Sequence, residues 1–223
     1  MTRVKICGIT NLDDALAAVE AGADLLGFVF FPQSPRYVEP ERAREITAAL
    51  KECKKVPRLV GVFVNEALER VHEIVATAQL DIAQLHGDES PEMVRALAAS
   101  RISVVKALRP GDAAEAGSLV ARHRSTAGRN APAFIVDAFD ARRYGGTGVR
   151  ADWQIAAHIA REFPILLAGG LNADNVAEAL RAVRPWGVDV SSSVERAPGL
   201  KDHTQVRQFI QAAKDARPVT DDR

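Results

Sequence analysis

Eight short apolar runs, each followed by a segment with helical spacing, divide this chain from end to end. The runs lie at 4–9, 25–31, 59–64, 82–86, 103–108, 133–138, 165–168 and 187–191. Most are almost continuously apolar, the pattern of parallel strands covered on both faces. Between them, Leu12, Ala15, Leu16 and Val19 make one apolar stripe, and Leu68, Val71, Ile74, Val75 and Ala78 make another. Thr10 or Asn11, Asn65, Ser90 and Asn172 stand where each can cap the helix that follows. Pro40 and Pro91 fit first-turn positions, where the missing N–H costs nothing. Strand–helix alternation repeated eight times predicts a single-domain α/β protein, a (β/α)8 TIM barrel over 1–215, with 216–223 as a frayed polar tail. An open doubly wound sheet would have fewer units and a G-x-G-x-x-G turn after its first strand, whereas this strand runs into Cys7-Gly8-Ile9-Thr10.

Charge and cysteine usage narrow the partners. Lys plus Arg equals Asp plus Glu at 29 each, so no overall field attracts nucleic acid or an anionic membrane. No apolar stretch nears the ~20 residues needed to span a bilayer, and a strand that starts at once leaves no room for a signal peptide. Cys7 and Cys53 fall on a strand and a helix end, without CxxC or Cys/His metal spacing. Neither a disulfide nor a metal site is expected, and the cytoplasm is the expected compartment. Monomer and homodimer both stay open.

In a barrel of this kind, the reactive groups gather at the C-terminal ends of the strands. Alternation puts Lys5 and Cys7 on one inward face, Gln84 and His86 on another, and Ile135 and Asp137 on a third. Polar groups sealed unpaired in a core would cost a few kcal/mol each; a solvated site removes that cost. Gly169 and Gly170 end the seventh run just before a helix capped by Asn172, and Asp189-Val190-Ser191-Ser192-Ser193 ends the eighth. Both tips suit an anion, through close backbone approach, helix-terminal N–H groups and hydroxyl donors. Loops 32–39 and 139–152 exceed the short norm. The first carries Arg36, whose fork could grip a carboxylate; the second carries Tyr144-Gly145-Gly146-Thr147-Gly148, a segment able to fold over a ligand. A thiol, an acid and a phosphate-sized cradle at one rim read as an enzyme for a small phosphorylated molecule.

Over nearly its whole length the chain resembles the phosphoribosylanthranilate isomerases of tryptophan biosynthesis. The likeness rests on Val4-Lys5-Ile6-Cys7-Gly8-Ile9-Thr10, Gly27-Phe28-Val29-Phe30 with Ser34-Pro35-Arg36-Tyr37, Gly61-Val62-Phe63-Val64-Asn65 and Gln84-Leu85-His86-Gly87. It continues through Tyr144-Gly145-Gly146-Thr147-Gly148, Gly169-Gly170-Leu171 and Val188-Asp189-Val190-Ser191-Ser192 with Val194-Glu195. The resemblance implies an Amadori rearrangement of N-(5-phosphoribosyl)anthranilate from aminoaldose to aminoketose, without cofactor or metal. It implies that Cys7 is the general base and Asp137 the general acid. Arg36 would meet the anthranilate carboxylate, well round the rim from the phosphate held by Gly169, Gly170, Ser191 and Ser192. Gln84, His86 and Asp189 are further candidate substrate contacts. Ser193 departs from the glycine expected at its position.

Rival readings are another sugar-phosphate barrel or a non-catalytic barrel that binds a phosphorylated metabolite. A histidine-pathway isomerase would carry an aspartate where Cys7 stands. A pentose-phosphate epimerase would need several His and Asp metal ligands, of which only His86 is so placed.

Overall fold

The computed structural model describes residues 2–100, 102–123, 132–138 and 151–216. In chain order its barrel elements are β1 (Arg3–Cys7), α1 (Leu12–Glu20), β2 (Leu25–Val29), α2 (Pro40–Leu50), β3 (Arg58–Phe63), α3 (Leu68–Thr77), β4 (Ile82–Leu85) and α4 (Pro91–Ala99). Then follow β5 (Ser103–Leu108), α5 (Ala113–Arg122), β6 (Phe134–Val136), α6 (Trp153–Ala160), β7 (Ile165–Leu167), α7 (Val176–Val183), β8 (Gly187–Val190) and α8 (His203–Asp215). Among the described residues β1 to β8 close into one parallel barrel, with β8 pairing back onto β1 through Lys5 and Asp189. This is the fold that the alternating pattern predicts.

Strand alternation sorts the apolar residues into two cores. Leu25, Val60, Ile82, Val105, Ile135 and Leu166 pack inside the barrel, with Trp186 against them. Phe28, Phe63, Phe134 and Phe209 are fully buried in the larger layer between strands and helices, each worth about 1.5–3 kcal/mol on burial. Val71, Ile74, Val75 and Ala78 of the α3 stripe belong to that layer, with Leu68 packed against it.

Several strands stop short of their apolar runs. β1 ends at Cys7 and β2 at Val29, yet Ile9 and Phe30 beyond them stay buried. Hydrophobicity reports burial, whereas the ladder ends where the chain turns outward to build the rim.

Helix starts agree in part with the expected caps. Asn11 accepts from the Asp14 N–H, Ser90 accepts from the Met93 N–H, and Pro40 and Pro91 open their helices. Asn65 is not a cap: α3 starts after Ala67, and Asn65 sits at φ 52° with its Oδ1 accepting from the Asp88 N–H. Its short polar side chain tolerates the left-handed region, which explains why asparagine stands there. Asn172 also lies short of its helix. Its Oδ1 accepts from the N–H groups of Asp174 and Asn175, and α7 begins only at Val176.

The sequence pattern gave no sign of a small hairpin after β8, formed by β9 (Glu195–Ala197) and β10 (Leu200–Lys201). It packs beside the loop after β2, and the Thr10 hydroxyl donates to the Gly199 carbonyl.

Candidate active site

At the C-terminal mouth of the barrel lies a cavity of about 220 Å³. Cys7, Arg36, Gln84, His86, Asp137, Gly169, Gly170, Asp189, Ser191 and Ser192 all line it. A larger depression of about 420 Å³ lies on the outer layer between α5 and α6, but among the described residues that line it His158 and Glu162 are the only titratable ones. Convergence of polar groups therefore marks the mouth as the site.

Cys7 ends β1 with its thiol turned inward beside Val29 and Val62. Burial pushes the thiol up, while the Lys5 ammonium pulls it back down. Lys5 is fully buried and donates to Asp189 Oδ1 at 3.0 Å. Burial works against its charge, but Asp189 and Cys7 outweigh it and hold the ammonium above its ordinary value. Asp189 is thus already paired inside the barrel.

Asp137 follows β6, which β7 and β8 separate from β1 in the ring. Its Oδ1 accepts from the Ala138 N–H at 2.7 Å, and its Oδ2 lies 3.3 Å from His86 Nε2. Gln84 Nε2 meets His86 Nδ1 at 2.8 Å, and as a donor there it leaves the hydrogen on Nε2, facing Asp137. The Nε2 contact is poorly aligned: Gln84 Oε1 and His86 Nε2 are buried without a hydrogen-bond partner among the described residues. Buried polar atoms rarely go unpaired, and both of these belong to residues that line the cavity.

Arg36 is less free than its loop position suggested. Its Nε and Nη2 donate to Glu195 Oε1 and Oε2 at 2.8 and 2.7 Å, and Lys201 Nζ donates to Oε1 at 2.8 Å. Nor does it lie far round the rim. A Cβ built on Gly8 would fall 2.6 Å from Arg36 Cδ and 3.2 Å from Ser191 Oγ. The closed ring makes β1 the neighbour of both β2 and β8, so the loop after β2 comes close to the end of β8.

The expected phosphate cradle differs in detail from the sequence reading. Gly169 and Gly170 have φ of 81° and 63°, and Asn175 Nδ2 donates to the Gly170 carbonyl. They form a loop ahead of α7 rather than its first turn. Ser191 donates its hydroxyl to the Cys7 carbonyl at 3.1 Å, and Ser193 donates to the Leu171 carbonyl. Those two hydroxyls tie loops together, which leaves the backbone as what these serines offer an anion. The segment Tyr144-Gly145-Gly146-Thr147-Gly148 lies outside the described residues.

Sequence reasoning missed the roles of Glu195 and Lys201 as a polar shelf under Arg36. Glu195 was visible only as part of a motif, and its partner Lys201 comes from the unanticipated hairpin.

A family model for N-(5'phosphoribosyl)anthranilate (PRA) isomerase matches residues 4–212. The chain belongs to the phosphoribosylanthranilate isomerase family. Among other members, the N-(5'-phosphoribosyl)anthranilate isomerase of Geobacter metallireducens is 49% identical over 96% of this chain and 100% of its own. The solved phosphoribosyl anthranilate isomerase of Thermotoga maritima superposes with a TM-score of 0.84 at 42% identity, covering 96% of this chain and 99% of that one. Another solved family structure holds reduced 1-(o-carboxyphenylamino)-1-deoxyribulose 5-phosphate; it has a TM-score of 0.81 and 42% identity, over 96% and 99% of the two chains. Both family structures span the barrel from end to end, so the mouth described above lies within the shared fold.

Proposed function

We propose that this phosphoribosylanthranilate isomerase of tryptophan biosynthesis works by general acid–base catalysis with Asp137 as acid and Cys7 as base. The observation that carries the reading is that both side chains line one cavity from nearly opposed strands, in a chain of this family. The substrate is N-(5-phosphoribosyl)anthranilate, a closed-ring aminoaldose phosphate. Asp137 gives a proton to the ring oxygen as the nitrogen lone pair opens the ring to a Schiff base. The cation so formed makes the C2 proton acidic. The Cys7 thiolate takes it, and the enolamine tautomerises to the aminoketose. One proton has left Asp137 and one has reached Cys7, so a proton returning through the solvated cavity resets the enzyme. No step transfers electrons to a cofactor.

The remaining groups bind. Backbone at Gly169, Gly170, Ser191 and Ser192 holds the phosphate, and the Arg36 N–H groups not spent on Glu195 meet the carboxylate. Gln84 and His86 offer their unpaired atoms to sugar hydroxyls. Asp189 contributes through Lys5 rather than by direct contact, which revises its expected role. We take 1–215 as one domain. Two free thiols support a reducing compartment, the cytoplasm, and among the described residues no helix is long and apolar enough to cross a membrane. A relative from Thermotoga maritima is described as dimeric and also as monomers, and a monomer or homodimer is proposed here. The test is loss of phosphoribosylanthranilate fluorescence on adding purified protein. Turnover supports the isomerase, and binding without turnover would leave only a metabolite-binding barrel.

A further inference from the structure

Lys5 and Cys7 look into the barrel from the same strand, and the mechanism above uses only the thiol. Lys5 is buried in the barrel interior and shut off from solvent, where its ammonium donates to Asp189 Oδ1 and lies beside the Cys7 thiol. Gly27 on β2 explains how both side chains fit. A Cβ there would fall 2.8 Å from Cys7 Sγ and 3.1 Å from Lys5 Cε, so thiol and lysine stem share the space that a side chain would have filled. Packing does not require this pair, since a volume-matched apolar pair is often neutral or stabilising in place of a buried ion pair. The ion pair stands beside Cys7, one of the two groups that change charge during the reaction.

We propose that Lys5 and Asp189 are positioning residues that set the charge state of Cys7. Asp189 holds the Lys5 ammonium in place beside the thiol, and Lys5 is the counter-ion when the thiolate forms. The inference rests on reading Cys7 as the base. Other charged groups around the thiol are Lys201 of β10, with Arg36 and Asp137 lining the same cavity. From β2 and β3 it meets the uncharged Gly27, Val29 and Val62. Burial raises the thiol, Lys5 opposes that rise, and Asp189 adds to it. The two members of the pair therefore act on Cys7 with opposite signs.

The test is the pH dependence of iodoacetamide alkylation at Cys7, in a Cys53→Ala background so that one thiol reacts. Lys5→Met is expected to move the alkylation midpoint up by about one to three pH units and slow alkylation at pH 9 by about tenfold or more. Asp189→Asn frees the ammonium for the thiol and is expected to move the midpoint down. Unchanged midpoints, or shifts of the same sign in the two variants, would overturn the proposal. Should Lys5→Met fail to fold, the Lys5→Met/Asp189→Asn double variant leaves no unpaired buried charge and takes its place. Its midpoint is expected above that of the parent, and one at or below the parent would overturn the proposal. Turnover separates this inference from its premise. Opposite shifts together with a Cys7→Ala enzyme of normal kcat would remove only the base assignment. Unmoved midpoints with an inactive Cys7→Ala enzyme would remove only the roles of Lys5 and Asp189.

Discussion

Glu195 grips Arg36 through both carboxylate oxygens, at 2.8 and 2.7 Å, while Lys201, its partner on the paired strand of the hairpin, binds the same carboxylate. The arginine that faces the cavity is therefore fixed before any ligand arrives, and ordering it on binding costs little entropy. Burial works to raise the Glu195 carboxyl, but Arg36 and Lys201 outweigh it and hold it below the usual range.

Glu195→Gln should loosen Arg36 without touching the phosphate cradle. Affinity for a carboxylated product analogue is expected to fall about tenfold, or ~1.4 kcal/mol, while inorganic phosphate binding stays nearly unchanged. Calorimetry with both ligands measures this. Because Arg36 lies close to Ser191, the phosphate arm matters: equal losses would assign Arg36 to the phosphate.

Acid should unfold the protein through a few identifiable carboxylates. Asp14 accepts from the Lys201 N–H and faces His203 Nε2, both at 2.8 Å; Asp24 accepts from the Val4 N–H and from Lys55 and Lys214. Burial works to raise both carboxyls, but these bonds outweigh it and lower them. A carboxyl depressed only in the folded chain stabilises above its unfolded pKa of ~4 and loses that contribution as pH falls through the folded value. Urea midpoints should therefore drop steeply below about pH 4. Asp14→Asn should lower the neutral midpoint and flatten the acid limb; an acid limb as steep as wild type would contradict this.

The barrel was legible because its strands are covered on both faces and its helices carry regular stripes. Cys7 and Asp137 could be placed on inward faces because a period of two fixes the side of every strand residue once one is known. What could not be read were contacts between residues far apart in sequence. Arg36 with Glu195 and Lys5 with Asp189 join residues 159 and 184 positions apart. Nothing local to Arg36 shows that its fork is already engaged, and nothing local to Ser191 shows that its hydroxyl is spent on Cys7. The hairpin of β9 and β10 escaped because strands of three and two residues leave no periodicity to detect.

Ser193 offers a test of loop coupling. Its hydroxyl joins the end of β8 to the Leu171 carbonyl beside Gly170, so the two halves of the cradle are held together. Ser193→Gly should lose one such hydrogen bond, about 1 kcal/mol, and weaken inorganic phosphate binding several-fold with kcat largely retained. Phosphate affinity equal to wild type would show that the bond only stabilises the loops.

Metal independence is a prediction of the proposed acid–base mechanism. Among the described residues no group of three or more His, Cys, Asp or Glu side chains is gathered to hold a metal ion. Activity should be unchanged by dialysis against EDTA. Activity that is lost and then returns with zinc or iron would favour epimerase-like chemistry.

The assignment of acid and base is tested most directly by steady-state kinetics of Cys7→Ala and Asp137→Asn with phosphoribosylanthranilate. Each variant should fold, since among the described residues neither side chain carries a structural ion pair other than the loose contact of Asp137 with His86. Each should lose kcat by about 10²–10⁴-fold while KM changes little, the signature of an interaction made in the transition state. A folded Cys7→Ala or Asp137→Asn enzyme with near-normal kcat would contradict the mechanism.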